Sequence, residues 1–103
     1  FDAAKDENKA YDQFARGLAY RRRGMYEQAL VCFDKALKLT PENLDAWYSK
    51  ARTYILAGQL EEGRWCLEHT LSLCPGYYKA RKRLNNLLAT MPSQSSQSSQ
   101  PAE

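Results

Sequence analysis

Apolar and small residues recur every three or four positions through most of the chain, the period of a helix with one face against a core. The first run carries Tyr11, Phe14, Gly17, Leu18 and Tyr20 and stops at Gly24, because glycine accepts the positive φ of a helix end. The second carries Tyr26, Ala29, Leu30, Phe33, Ala36 and Leu37. Thr40-Pro41-Glu42-Asn43 closes it, since proline cannot continue a helix yet fits the first turn of a new one. Leu44, Trp47, Ala51 and Tyr54 mark a third helix ending at Gly58, and Leu60, Gly63, Leu67 and Leu71 a fourth ending at Pro75-Gly76. A fifth pattern, with Tyr78, Leu84, Leu87 and Leu88, has no second helix after it and is expected to close the preceding pair as a lid. The pattern predicts an all-α chain.

The runs repeat at an offset of 34 residues. Tyr20 maps to Tyr54, Gly24 to Gly58, Cys32 to Cys66, Leu37 to Leu71, Leu39 to Leu73 and Pro41 to Pro75. Gly17 with Ala51, Tyr26 with Leu60, Gln28 with Glu62, Ala29 with Gly63 and Phe33 with Leu67 add conservative matches. Antiparallel helices approach closely only where small residues sit at the crossing. Gly17 against Ala29, and Ala51 against Gly63, are expected to supply that. Tyr20, Phe33, Trp47, Tyr54 and Leu67 then fill the space beside each crossing. One pair cannot bury its apolar face alone, so neighbours must stack.

Length and composition narrow the reading. A chain of 103 residues holds one domain with a thin core, and 44% hydrophobic with 26% charged residues is ordinary for a globular protein. It begins at Phe1 rather than Met and is read as a piece of a longer protein. No run approaches the roughly 18 apolar residues of a membrane span, so no membrane role is expected. A net charge of +3 falls short of what non-specific nucleic-acid binding requires. Three cysteines cannot all pair within the chain, which points to a reducing compartment, the cytoplasm first and the nucleus second. Cys66, His69 and Cys74 have a superficial ligand look, but their spacing lacks paired zinc knuckles. No Gly-rich phosphate loop, nucleophile elbow or carboxylate pair appears, so neither cofactor nor catalysis is expected.

The pattern, met twice in register, resembles the tetratricopeptide repeat (TPR). Gly17, Tyr20, Ala29, Phe33, Ala36 and Pro41 match in the first unit, and Trp47, Ala51, Tyr54, Gly63, Leu67 and Pro75 in the second. Gln13 departs from the pattern's Trp, Arg16 and Lys50 from a Leu, and Thr70 from an Ala. The resemblance implies a right-handed superhelix of antiparallel helix pairs. It divides the chain into a lead-in or first-helix extension over 1–9, units over 10–43 and 44–77, a capping helix over 78–90, and a disordered Ser/Gln-rich tail over 91–103.

It also implies a protein–protein interaction module, a scaffold or adaptor whose first helices line a concave groove for a peptide or helix of a partner. The groove positions are Tyr11, Phe14, Leu18, Arg21 and Arg22 from the first unit, Tyr48, Ser49, Arg52, Ile55 and Leu56 from the second, and Lys79, Lys82 and Arg83 from the cap. This surface is aromatic and basic, and Tyr and Arg make frequent binding anchors. The clamp by which some relatives hold an acidic C-terminal peptide maps to Phe14, Leu18, Ser49, Lys79 and Arg83. Only the last two match, so a ligand with apolar anchors and some acidic residues suits the groove better. Lys79, Lys82 and Arg83 share a helix face, whereas Arg21, Arg22 and Arg23 fan out. Two alternatives stand beside the groove: a homodimer through the uncapped ends, and RNA binding, which would need cations and aromatics interleaved along one track. Ser93-Gln94, Ser96-Gln97 and Ser99-Gln100 resemble kinase sites whose phosphates would reach the basic cap.

Overall fold

The computed structural model describes residues 3–91, with side chains from residue 8 onward; residues 1–2 and the Ser/Gln-rich tail from residue 92 lie outside the described residues. Five helices follow in order: α1 (Ala3–Arg22), α2 (Tyr26–Leu39), α3 (Leu44–Leu56), α4 (Leu60–Leu73) and α5 (Tyr78–Thr90). α1 packs on α2 and α3 on α4 as antiparallel pairs, α2 meets α3 between the pairs, and α5 covers α4. The described stack measures 57 × 29 × 19 Å, an array rather than a sphere.

Each helix end has a local cause. Gly24 and Gly58 adopt φ of 81° and 86°, the left-handed turn that reverses the chain within each pair. Thr40 closes α2 with its hydroxyl donating to the Ala36 carbonyl at 3.1 Å. Asn43 then caps α3, its side chain accepting from the Ala46 amide at 3.2 Å. Pro41 therefore lies in the connecting turn, not in the first turn of α3, and its carbonyl accepts from the Trp47 indole at 2.8 Å.

The core follows the apolar period. Ala51, Cys66, Leu67, Leu71, Ala80, Leu84 and Leu87 form one cluster across α3, α4 and α5. Ala29, Phe33, Ala36 and Leu37 are the buried side of α2. Cys32 and Cys66 occupy equivalent buried slots, and all three cysteines are free. The cap buries Ala80, Leu84 and Leu87 and leaves Tyr78 and Leu88, expected on its apolar pattern, exposed.

The close approaches differ within the two pairs. A side chain at Gly63 would meet Ile55 Cγ1 at 2.7 Å and the Ala51 carbonyl at 3.2 Å, which is the Ala51–Gly63 crossing expected from the pattern. At Gly17 the neighbour is instead the Phe33 ring, 2.5 to 2.9 Å from where a Cβ would stand. Gly17 therefore makes room for an aromatic ring and not for Ala29.

Candidate functional site

The chemistry gathers on a face shared by α1, α3 and α5. On α3, Tyr48 and Arg52 stand one turn apart; on α5, Lys79, Lys82 and Arg83 project within little more than a turn. With Tyr78 and Asn86 they line a concavity of about 380 Å³. Tyr78, Lys82 and Asn86 follow at intervals of four along α5, so the spacing that identified Lys82 also marked the two residues sequence reasoning missed.

Arg83 and Tyr48 tie the two helices together, with the guanidinium Nε donating to the tyrosine hydroxyl at 3.3 Å. The Tyr48 ring stands edge-on to Tyr77, centroids 5.9 Å apart at 65°. The Tyr77 hydroxyl donates to Asp45 Oδ1 at 2.6 Å. Burial first, then the bond to Asp45 and its negative charge, push the Tyr77 phenol well above its ordinary value. Asp45 is thus engaged by Tyr77, and no carboxylate lines the concavity.

Arg21 extends the cationic face onto α1. Burial, and then the like charges of Arg52, Arg22 and Arg83, lower its guanidinium pKa, with Tyr48 opposing. Among the described residues, the ion pairs are Lys50 with Asp34 and Arg64 with Glu61 and Glu68; none engages a cation of this face.

The remaining groove positions divide. Tyr11 is 68% exposed and Arg22 is exposed, while Leu18 is half-buried. Phe14 is half-buried with its ring on Phe33, centroids 5.9 Å apart, so much of it is spent within the first pair. Ile55 packs against the core cluster and Leu56 is exposed. Ser49 is a correction: it is 7% exposed, in a buried strip with Ala46 and Thr53, and does not face a groove. Its carbonyl accepts the Thr53 hydroxyl at 2.8 Å. An inner helix of a stack abuts both the preceding pair and its own partner, so α3 buries two faces where a single amphipathic stripe suggests one.

A second surface was not anticipated. His69 packs against two indoles that also meet each other edge-on at 5.8 Å: its ring is tilted on Trp47 with centroids 4.3 Å apart and stacked on Trp65 at 5.1 Å and 6°. Lys50 sits over Trp47 at 5.1 Å and pairs with Asp34 at 2.7 Å. His69 is therefore engaged by aromatic rings, and no cluster of three or more metal-ligating side chains exists among the described residues. Val31 and Trp65, at 51% and 56% exposure, occupy equivalent places in the two units; the repeat offset was the available signal.

Two successive helix pairs reversed at equivalent glycines, stacked, and capped by a further helix are what a repeat family would build. A TPR repeat family model matches residues 17–58, and a second, described as tetratricopeptide repeat, matches residues 44–77. The chain belongs to the TPR family. It is 37% identical over 70 residues to an uncharacterized protein of Methanocaldococcus jannaschii, covering 66% of this chain and 81% of that protein. It is also 33% identical over 86 residues to a TPR repeat-containing thioredoxin of Arabidopsis thaliana, across 82% of this chain. The similarity to the TPR repeat-containing protein YpiA of Bacillus subtilis is 32% over 71 residues, across 69% of this chain. The chain spans only 12% and 16% of the lengths of those two relatives. TPR domains are non-catalytic scaffolds that bind proteins and peptides, and this chain carries that general capacity.

Proposed function

We propose that this TPR chain holds a peptide or helix of a partner protein along the face built by α1, α3 and α5. The observation that carries the reading is the gathering of Tyr48, Arg52, Lys79, Lys82 and Arg83 around one concavity whose lining contains no acidic group. Such a surface attracts acidic side chains, and buried-edge Tyr and Arg supply rigid area with polar handles. Half-buried Leu18 on α1 offers apolar contact farther along. The ligand is therefore a segment with apolar anchors and acidic residues, and the free thiols suit a reducing compartment such as the cytoplasm.

The test is a panel of synthetic peptides carrying that pattern, measured against the native chain and the double variant Tyr48→Ala with Arg52→Ala. Loss of two anchors predicts an affinity drop of about a hundredfold or more, with helical content by circular dichroism unchanged. A double variant that binds at full strength removes the reading. Self-association is the second reading, favoured by Tyr11 on α1 and Leu88 on α5, which are 68% and 48% exposed. Sedimentation over a range of concentrations decides it, and a monomer at high concentration eliminates the dimer.

A further inference from the structure

The cationic end of the groove is denser in charge than recognition of one carboxylate requires. Lys79, Lys82 and Arg83 come from little more than one turn of α5, and Arg52 faces them from α3 across the same concavity. A helical turn rises about 5.4 Å, so the three α5 cations spring from one short stretch of helix and share a concavity with Arg52 instead of being strung along the groove. Arg21 adds a fifth charge from α1. The concavity of about 380 Å³ accommodates a tetrahedral group, and nothing in its lining neutralises the cluster.

The donor types discriminate between anions. Arg83 is oriented through its Nε bond to Tyr48 at 3.3 Å, which leaves the two terminal nitrogens of its fork directed elsewhere. A planar guanidinium matches phosphoryl oxygens bidentately. A phosphorylated side chain brings about −1.5 to −2 charges and three acceptor oxygens, against one charge and two oxygens for a carboxylate. Resting on the groove reading above, we propose that this end is a phosphate subsite that takes the phosphoryl group of a phosphorylated serine or threonine in the partner peptide. Arg52 and Arg83 act as forked donors, and Lys79 and Lys82 as surrounding charge. A nucleic-acid strand carries phosphates too, but it needs open aromatic faces between the cations. Of the two lining aromatics, Tyr48 is half-buried beside Tyr77, and only Tyr78 is widely exposed.

The experiment uses one synthetic peptide with leucine anchors around a central residue, prepared with serine, glutamate or phosphoserine there, and a single-stranded RNA of similar length. Binding to the whole chain is read by fluorescence anisotropy. The phosphoserine peptide should bind about tenfold or more tightly than the glutamate peptide. Arg83→Lys, which keeps the charge and removes the fork, should weaken the phosphoserine peptide several-fold more than it weakens the serine peptide, and so narrow that gap. Circular dichroism confirms that the variant is folded, and Arg52→Lys provides an independent second variant. Equal affinity for the phosphoserine and glutamate peptides overturns the phosphate subsite and leaves the groove reading standing. If no peptide binds, both fall, and tighter binding of the RNA overturns the peptide assignment.

Discussion

Gly17→Ala tests the packing of the first pair, because two opposing effects meet there and the geometry decides the sign. Helix propensity alone favours alanine over glycine by about 1 kcal/mol. The new Cβ, however, would stand 2.5, 2.7 and 2.9 Å from three carbons of the Phe33 ring. Carbon atoms at rest are about 3.5–4.0 Å apart, so the ring must retreat by about 1 Å. It has little room: Phe33 is 0% exposed, and Phe14 packs on it with ring centroids 5.9 Å apart. Overpacking of this kind costs about 1–3 kcal/mol, and a rigid, enclosed ring places the cost in the upper part of that range. The expected net loss is about 1–2 kcal/mol, which for a domain of this size lowers Tm by about 4–8 °C per kcal/mol. Urea denaturation followed by circular dichroism measures it, with thermal unfolding as a second readout. In a Phe33→Leu background the same substitution should cost less, a coupling that a double-mutant cycle isolates. A Gly17→Ala chain as stable as the native one, or more stable, would refute the close approach.

Other outcomes follow from single sites. Gly58→Ala meets no atom within 4 Å, yet its φ of 86° should make it cost about 1–2 kcal/mol, whereas Gly76→Ala, equally uncrowded and without positive φ, should be near neutral in the same urea assay. Burial is the main cause that pushes the Cys66 thiol from 9.0 to about 11, so the folded state retains a proton that the unfolded state loses. Stability should be at its full value below about pH 9 and fall as pH rises towards 11, a slope that Cys66→Ala should remove; iodoacetamide with mass spectrometry should label half-exposed Cys74 well before Cys66. Tyr77→Phe removes the 2.6 Å bond to Asp45 and should cost roughly 1 kcal/mol. Because the Tyr77 phenol is raised from 10.0, its contribution is complete below pH 10 and lost above it, so the variant's stability curve should be flatter there.

Much of the architecture was legible because its causes are local. Gly24 and Gly58 end helices through backbone conformation, and the spacing of Ala29, Phe33, Ala36 and Leu37 assigns one face of α2 to the core, whereas the start of α3, expected at Pro41, lies at the Asn43 cap. The site was legible in part. Lys79, Lys82 and Arg83 share a face by helical spacing alone, and α3 brings Tyr48 and Arg52 to the same concavity. Ser49 was misplaced because its surroundings depend on how α3 sits against the preceding pair. The Trp47–His69–Trp65 cluster went unseen because two of its members come from α4 and meet Trp47 only through the crossing of helices.

By itself, the amino-acid sequence determined the five helices, the 34-residue repeat that makes the chain a TPR array, and the basic character of its inner face. These are properties of period, turn chemistry and composition, which act over a few residues. Only the tertiary structure decided that Gly17 yields to Phe33, that α3 buries two faces, and that Arg52 and Arg83 from two helices share one concavity lined by no carboxylate, with Arg21 of α1 within their field. The reason is that a helix's second neighbour is set by the stacking of pairs, and charges distant in sequence interact only once that stacking has brought them together.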